Sequence, residues 1–253
     1  MQDLPEGLEE TELTSEQTVT QLSSSVEPMN LSPQRQKVQE IRDKLSSSAL
    51  YSGVGIFCTS EPRMIERSLD GLDYNIISVD DSIIDFKTVF TTIAQSRAYP
   101  KSPATAGSPP FVIAVFISGR TTRSSNIFCT RHGLVDIVDD IIKPFLPQSA
   151  PHLVHIPKLF FISSRAMGHI PASSRRLLLP DDEDGNYLIA HCVTHNVDGW
   201  LSHIAQCICH SNQSVRDIVE QSRFLYEELL FDPVLGNENL QVYCCLKDDL
   251  VRK

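Results

Sequence analysis

The sequence predicts an α/β protein with a mostly parallel sheet covered by helices on both faces. Three observations carry this. The runs FVIAVFIS (111–118) and PKLFFIS (157–163) are apolar without polar alternation, as strands buried on both faces are. Amphipathic stretches with helical spacing separate such runs. The chain has 253 residues, 41% hydrophobic and 21% charged, enough to bury a core of one or two domains.

The elements follow in order. Residues 1 to about 32 are rich in Glu, Ser, Thr and Gln and read as a disordered acidic tail. Residues 33–46 read as a helix after Ser32, with Pro33 at its first position. YSGVGIFC is a strand; SEPRMIERSLDG is a helix with Ser60 as its cap, stopping at Gly71. DYNIISV is the next strand. DSIIDFKTVFTTIAQSRA sets Ile83, Ile84, Val89, Phe90 and Ile93 near one helical face. YPKSPATAGSPP is a loop, and FVIAVFIS a strand ending at Ser118-Gly119. NIFCTRHGLVDI reads as a small hairpin and VDDIIKPFL as a helix. PKLFFIS is a strand that breaks after Ile162 into a loop, Ser163 to Gly168. NYLIAHCV follows an acidic linker. GWLSHIAQCIC and SVRDIVEQSRFLYEELLF are helices, and LQVYCCL is a last strand. No internal repeat is visible. The GVG at Gly53 to Gly55 lacks a third glycine and lies at the start of its strand, not after it, so it is not read as a dinucleotide loop.

The formal net charge of -10 argues against a nucleic-acid or membrane-surface binder, because no basic field holds phosphates. The first residues lack a basic and an apolar region, and no apolar run approaches the roughly 18 residues that span a bilayer. Seven cysteines without such a signal fit a reducing compartment, and the expected location is the cytoplasm. No cofactor and no metal site is predicted.

The order of elements resembles the caspase family of cysteine peptidases. There a strand ends in Ser-His-Gly, whose His is the base, and a later strand of the type K-L-F-F-I-Q-A-C-x-G ends in the nucleophilic Cys. An acidic linker then leads to a small subunit that opens with a strand and a helix carrying a Trp. Here FVIAVFISGR, PKLFFISSRAMG, LPDDEDGNYLIAHCV and GW follow in that order. The resemblance spans residues 51 to 250. It implies the caspase-like (caspase-hemoglobinase) fold, about six mostly parallel strands with helices on both faces. It divides the chain into a tail and short helix (1–49), a large-subunit-like region (50–168), a linker (169–186) and a small-subunit-like region (187–253).

Laid on that pattern, the chemistry is missing. Ser118 matches the family Ser, but the His position is Gly119. Ser163 falls on the Gln, Ser164 on the Ala and Arg165 on the Cys. There is no cysteine between Cys129 and Cys192, so no register restores a thiol. A guanidinium stays protonated and has no lone pair for attack, and glycine takes no proton. The pocket that holds a substrate aspartate is also depleted. The segment CVTHNVDGW lacks the family's Arg, no Arg or Lys lies between Arg176 and Arg216, and only Arg63 or Arg67 lies near the other pocket position. The resemblance therefore implies a pseudoprotease, a degenerate caspase homologue of the FLIP type.

Other candidate residues have simpler structural readings. His132 in Arg131-His132-Gly133 lies past the strand end and reads as a turn residue. Ser163 and Ser164, with His169 nearby, lack any further sign of a nucleophile with base and oxyanion hole. His191, His195, His203, Cys207, Cys209 and His210 have poor zinc spacing and read as buried or half-buried side chains. Cys244 and Cys245 point to opposite faces of a strand. The run ending at Asp184 reads as a solvated linker, or as a cleavage site for an active caspase.

With catalysis gone, the family's remaining surface is its last strand, which pairs across a two-fold axis. That strand is here Leu240 to Lys247, with Leu240, Val242, Tyr243, Cys244 and Cys245 as the expected interface. The implied partner is an active caspase, or a second copy of this chain. A hydrolase with a relocated nucleophile (Ser163, Ser164 or Cys192) and a non-enzymatic scaffold are the alternatives.

Overall fold

A computed structural model describes residues 33–59, 62–69, 72–79, 85–102, 110–121, 126–130, 132–166, 177, 185–193, 197–229, 240–247 and 250. Eight strands form one sheet: β1 (Gly53–Cys58), β2 (Tyr74–Ser78), β3 (Val112–Thr121), β4 (Ile127–Thr130), β5 (Gly133–Asp136), β6 (Lys158–Ala166), β7 (Tyr187–Val193) and β8 (Leu240–Cys244). The order is β2-β1-β3-β6-β7-β8, with the β4-β5 hairpin attached to the end of β3. The first five strands of that order run parallel, and β8 is antiparallel to β7. The expected six mostly parallel strands are all present.

Strand alternation sends two sets of side chains to opposite faces. One face is covered by α1 (Pro33–Ser46), α3 (Phe86–Ala94) and the segment after β5, around a core with Ile56, Val115, Phe160 and Ile189. The other is covered by α2 (Pro62–Ser68), α4 (Val197–His210) and α5 (Val215–Leu229), over Phe57, Phe116, Phe161 and Ala190. On that second face Phe57, Phe116 and Phe161 are in register on β1, β3 and β6. Their rings stack at 5.3 and 5.1 Å between centroids. Trp200 is fully buried in α4 and its Nε1 donates to Ser222 Oγ on α5 at 3.4 Å.

Several expectations need correction. Helix α3 begins at Phe86, because Asp85 caps it by accepting from Thr88 N at 2.9 Å; Ile83 and Ile84 lie outside the described residues. The Thr88 bonds also pull the Asp85 carboxyl below its ordinary pKa. VDDIIKPFL is a helix as expected, though of π and 3-10 rather than α winding. Ile137–Ile142 forms a wide π-turn capped by Asp136, and Lys143–Phe145 a 3-10 turn. Pro144 has no N–H for the α-helical bond, which forces the change of winding. Helix α4 starts at Val197, ahead of Gly199. The strand β6 does not break after Ile162. Ser163, Ser164 and Arg165 are ladder residues rather than a loop, because β3 pairs with all three and β7 with Ser163 and Ser164. Ser60, Gly71 and residues 1–32 lie outside the described residues.

Candidate functional site

The carboxyl ends of the central parallel strands are where open α/β sheets place their ligands. Here those ends bring together Gly119 and Arg165, the positions that the resemblance equates with a base and a nucleophile. Gly119 on β3 is paired with Ser164 on β6, and Arg120 with Arg165. Arg120 and Arg165 are both exposed.

Gly119 is more than a missing side chain. A Cβ built there would lie 3.0 Å from Phe128 Cδ2 and Cγ and 3.2 Å from Cδ1. Phe128 is a β4 residue only 4% exposed, and β4 pairs with β3 directly beside this point. The hairpin thus packs an aromatic ring into the space that a side chain at Gly119 would occupy.

Ser163 and Ser164 face opposite sides of the sheet, and both are fully buried. Ser163 Oγ has no hydrogen-bond partner. It shares a row with Ser118 on β3 and Cys192 on β7. Ser164 Oγ lies 2.7 Å from His191 Nε2, a pair the sequence reading did not find. The only signal for it was register, since β6 and β7 align Ile162 with His191 and so set Ser164 one pleat away on the same face. Burial pushes the His191 pKa down to about 4, which makes the ring neutral at ordinary pH. Its Nδ1 has no partner, so no carboxylate orients this base. A buried pair with neither solvent contact nor an orienting acid is a packing interaction in this geometry. Burial also pushes the Cys192 thiol up to about 12, the reverse of an activated nucleophile. His169 lies outside the described residues.

The remaining candidates are dispersed. His132 is exposed in the β4-β5 turn, its N–H donating to Thr130 Oγ1 at 3.3 Å. On α4, Cys207 Sγ lies 3.6 Å from His203 Nε2, and burial lowers the His203 pKa and raises that of Cys207. Cys209 is buried and His210 exposed; His195 is outside the described residues. Among the described residues no three His, Cys, Asp or Glu side chains gather as metal ligands. Among them, too, no helix is long and apolar enough to cross a membrane. Arg63 and Arg67 are exposed on α2. Asp184 lies outside the described residues, but the end of its linker is fixed. Asn186 takes φ 44°, its carbonyl accepts from Lys158 N at 3.0 Å, and its Oδ1 accepts from Lys247 N at 3.2 Å.

β8 ends the sheet order. Cys245 N donates to Tyr187 O at 2.8 Å, so by antiparallel alternation Gln241 and Tyr243 turn their backbone groups toward β7. Those of Val242 and Cys244 then turn outward. Val242 packs on the second core, Leu240 is buried there, and Cys244 is exposed. Cys245 packs on the opposite face, and both thiols are free. Tyr243 has an intramolecular role: its hydroxyl donates to Leu177 O at 3.1 Å, while Leu177 N donates to Gln241 Oε1 at 3.3 Å. Leu177, from the linker region, is 2% exposed in the first core.

No family model and no curated protein matches this chain. A solved structure described as the structure of pro-sf-caspase-1 does match it, with a TM-score of 0.57 and 14% identity, over 79% of this chain and 94% of that one. The fold is caspase-like. At this identity the likeness concerns the path of the backbone.

Proposed function

We propose that this chain is a catalytically inactive caspase-like protein that docks through β8 on an active caspase and regulates it. The observation that carries the reading is the pair of matched positions at the β3 and β6 ends. One is a glycine whose side-chain space is filled by Phe128, and the other is Arg165. Neither position supplies a base or a nucleophile, and the nearby hydroxyls and thiol are buried. Edge position supports β8 as the docking element. A terminal strand with outward backbone groups at Val242 and Cys244 is a template for strand addition.

The test is a titration of the purified chain into an active caspase, read by cleavage of an aspartyl reporter peptide. The chain alone is the control. A change of rate in the mixture, absent from the chain alone, is expected, and its sign separates an inhibitor from an activator. Val242→Glu should remove that change, because a charge on the edge opposes pairing. Tyr243 is the poorer probe, since it also holds Leu177. Hydrolysis by the chain alone would overturn the reading in favour of a relocated nucleophile. No effect in either arm would leave a scaffold.

A further inference from the structure

We infer that Arg120 and Arg165 form a binding site for a phosphate monoester at the carboxyl end of the sheet. The two are direct neighbours on parallel strands, so their side chains leave the same face about one strand spacing apart. Both are exposed, and among the described residues neither guanidinium has a carboxylate partner. Like charges opposite each other on a sheet are unfavourable unless something between them carries the opposite charge. The chain as a whole has a net charge of -10, so this pair runs against its general field. A second observation lies on the same face one pleat below. Ser163 Oγ, two residues before Arg165 on β6, is fully buried and has no hydrogen-bond partner among the described residues. Two arginine forks favour a group with charge near -2 and at least three acceptor oxygens. A phosphate monoester meets this, and a single carboxylate does not. The site is on β3 and β6, apart from the β8 edge, so it stands or falls separately from the docking reading.

Phenyl phosphate is the first probe, titrated calorimetrically into the full chain at low salt. A phosphoserine peptide, its unphosphorylated form and its aspartate form are the other arms. Saturable binding of phenyl phosphate is expected. Arg120→Gln and Arg165→Gln should each weaken it by about tenfold or more, the loss of a charge-assisted bidentate contact. Arg35→Gln, an exposed arginine on α1, should leave it unchanged. A phosphoserine peptide that binds tighter than phenyl phosphate assigns the site to phosphorylated protein, and equal affinity assigns it to small esters. Both results support the site. No binding at millimolar phenyl phosphate overturns the inference. So does equal binding of the aspartate peptide, or equal weakening by Arg35→Gln. Urea midpoints of the variants, unchanged from the parent chain, keep the loss attributable to the site.

Discussion

Replacing Gly119 with His would place an imidazole at the carboxyl end of β3, and the structure gives the cost. Glycine inside a strand is ordinarily a weak choice, and a side chain there gains roughly 0.5–1 kcal/mol in stability. At Gly119 the sign reverses. The first added atom already stands 3.0 Å from two atoms of the Phe128 ring, closer than an ordinary carbon contact of about 3.5–4.0 Å. An imidazole adds five more heavy atoms beyond it. Phe128 has little room to retreat, being 4% exposed and held in the hairpin ladder. Overpacking of this kind costs about 1–3 kcal/mol, so a net loss of about 1–2 kcal/mol is expected for Gly119→His. Urea unfolding followed by circular dichroism measures it as a lower midpoint at unchanged slope. The cause is isolated by a double-mutant cycle. In a Phe128→Ala background the same change should cost much less, because the ring is gone. Stability equal to or above the parent chain would refute the reasoning, as would the same penalty with and without Phe128.

Three more outcomes are expected. The His191 pKa of about 4 lies below the ordinary 6.5, so the unfolded chain binds the proton first as pH falls. The folded state is then fully stabilised above about pH 6.5 and loses up to roughly 3 kcal/mol between 6.5 and 4. His191→Gln should flatten that part of the stability curve relative to the parent chain, and parallel curves would count against it. Under native conditions iodoacetamide should label the exposed Cys244 well before Cys192, as read by peptide mass spectrometry, and reversed order would contradict the burial described. Tyr243→Phe should cost about 1 kcal/mol and raise amide exchange at Leu177, whose carbonyl loses its donor; unchanged exchange would remove the Tyr243 latch.

The strands were legible because a parallel sheet buried on both faces leaves an unbroken apolar signature, as in FVIAVFIS and LIAHCV. Helix α1 was equally plain from Ser32-Pro33. Polar residues misled where the ladder outran the apolar run. Ser163 to Arg165 look like a loop in isolation, yet neighbouring strands at the same height complete their pairing. Tertiary context decides such ends, not local propensity. That Gly119 and Arg165 stand at the ends of their strands could be read directly, since they are identities. The Phe128 contact could not, because it joins β3 to a hairpin whose register only the folded chain defines. The Ser164–His191 pair and the Leu177–Tyr243 bond were hidden for the same reason: they connect residues distant in sequence through strand alignment.

The extension of β6 through Ala166 bears on any attempt to build an acyl-transfer site at this end of the sheet. An acyl-transfer site needs backbone N–H groups that are uncommitted, so that they can meet the negative oxygen as it develops. β6 is paired on both sides through Ser164, and toward β3 it stays paired through Ala166. Its amides through Ser164 have been given to carbonyls of the sheet, while beyond Ser164 the edge toward β7 has no ladder partner among the described residues. A histidine and a cysteine installed at positions 119 and 165 would therefore meet a backbone whose β3-facing donors are already committed and which has only its β7-facing ones left to lend.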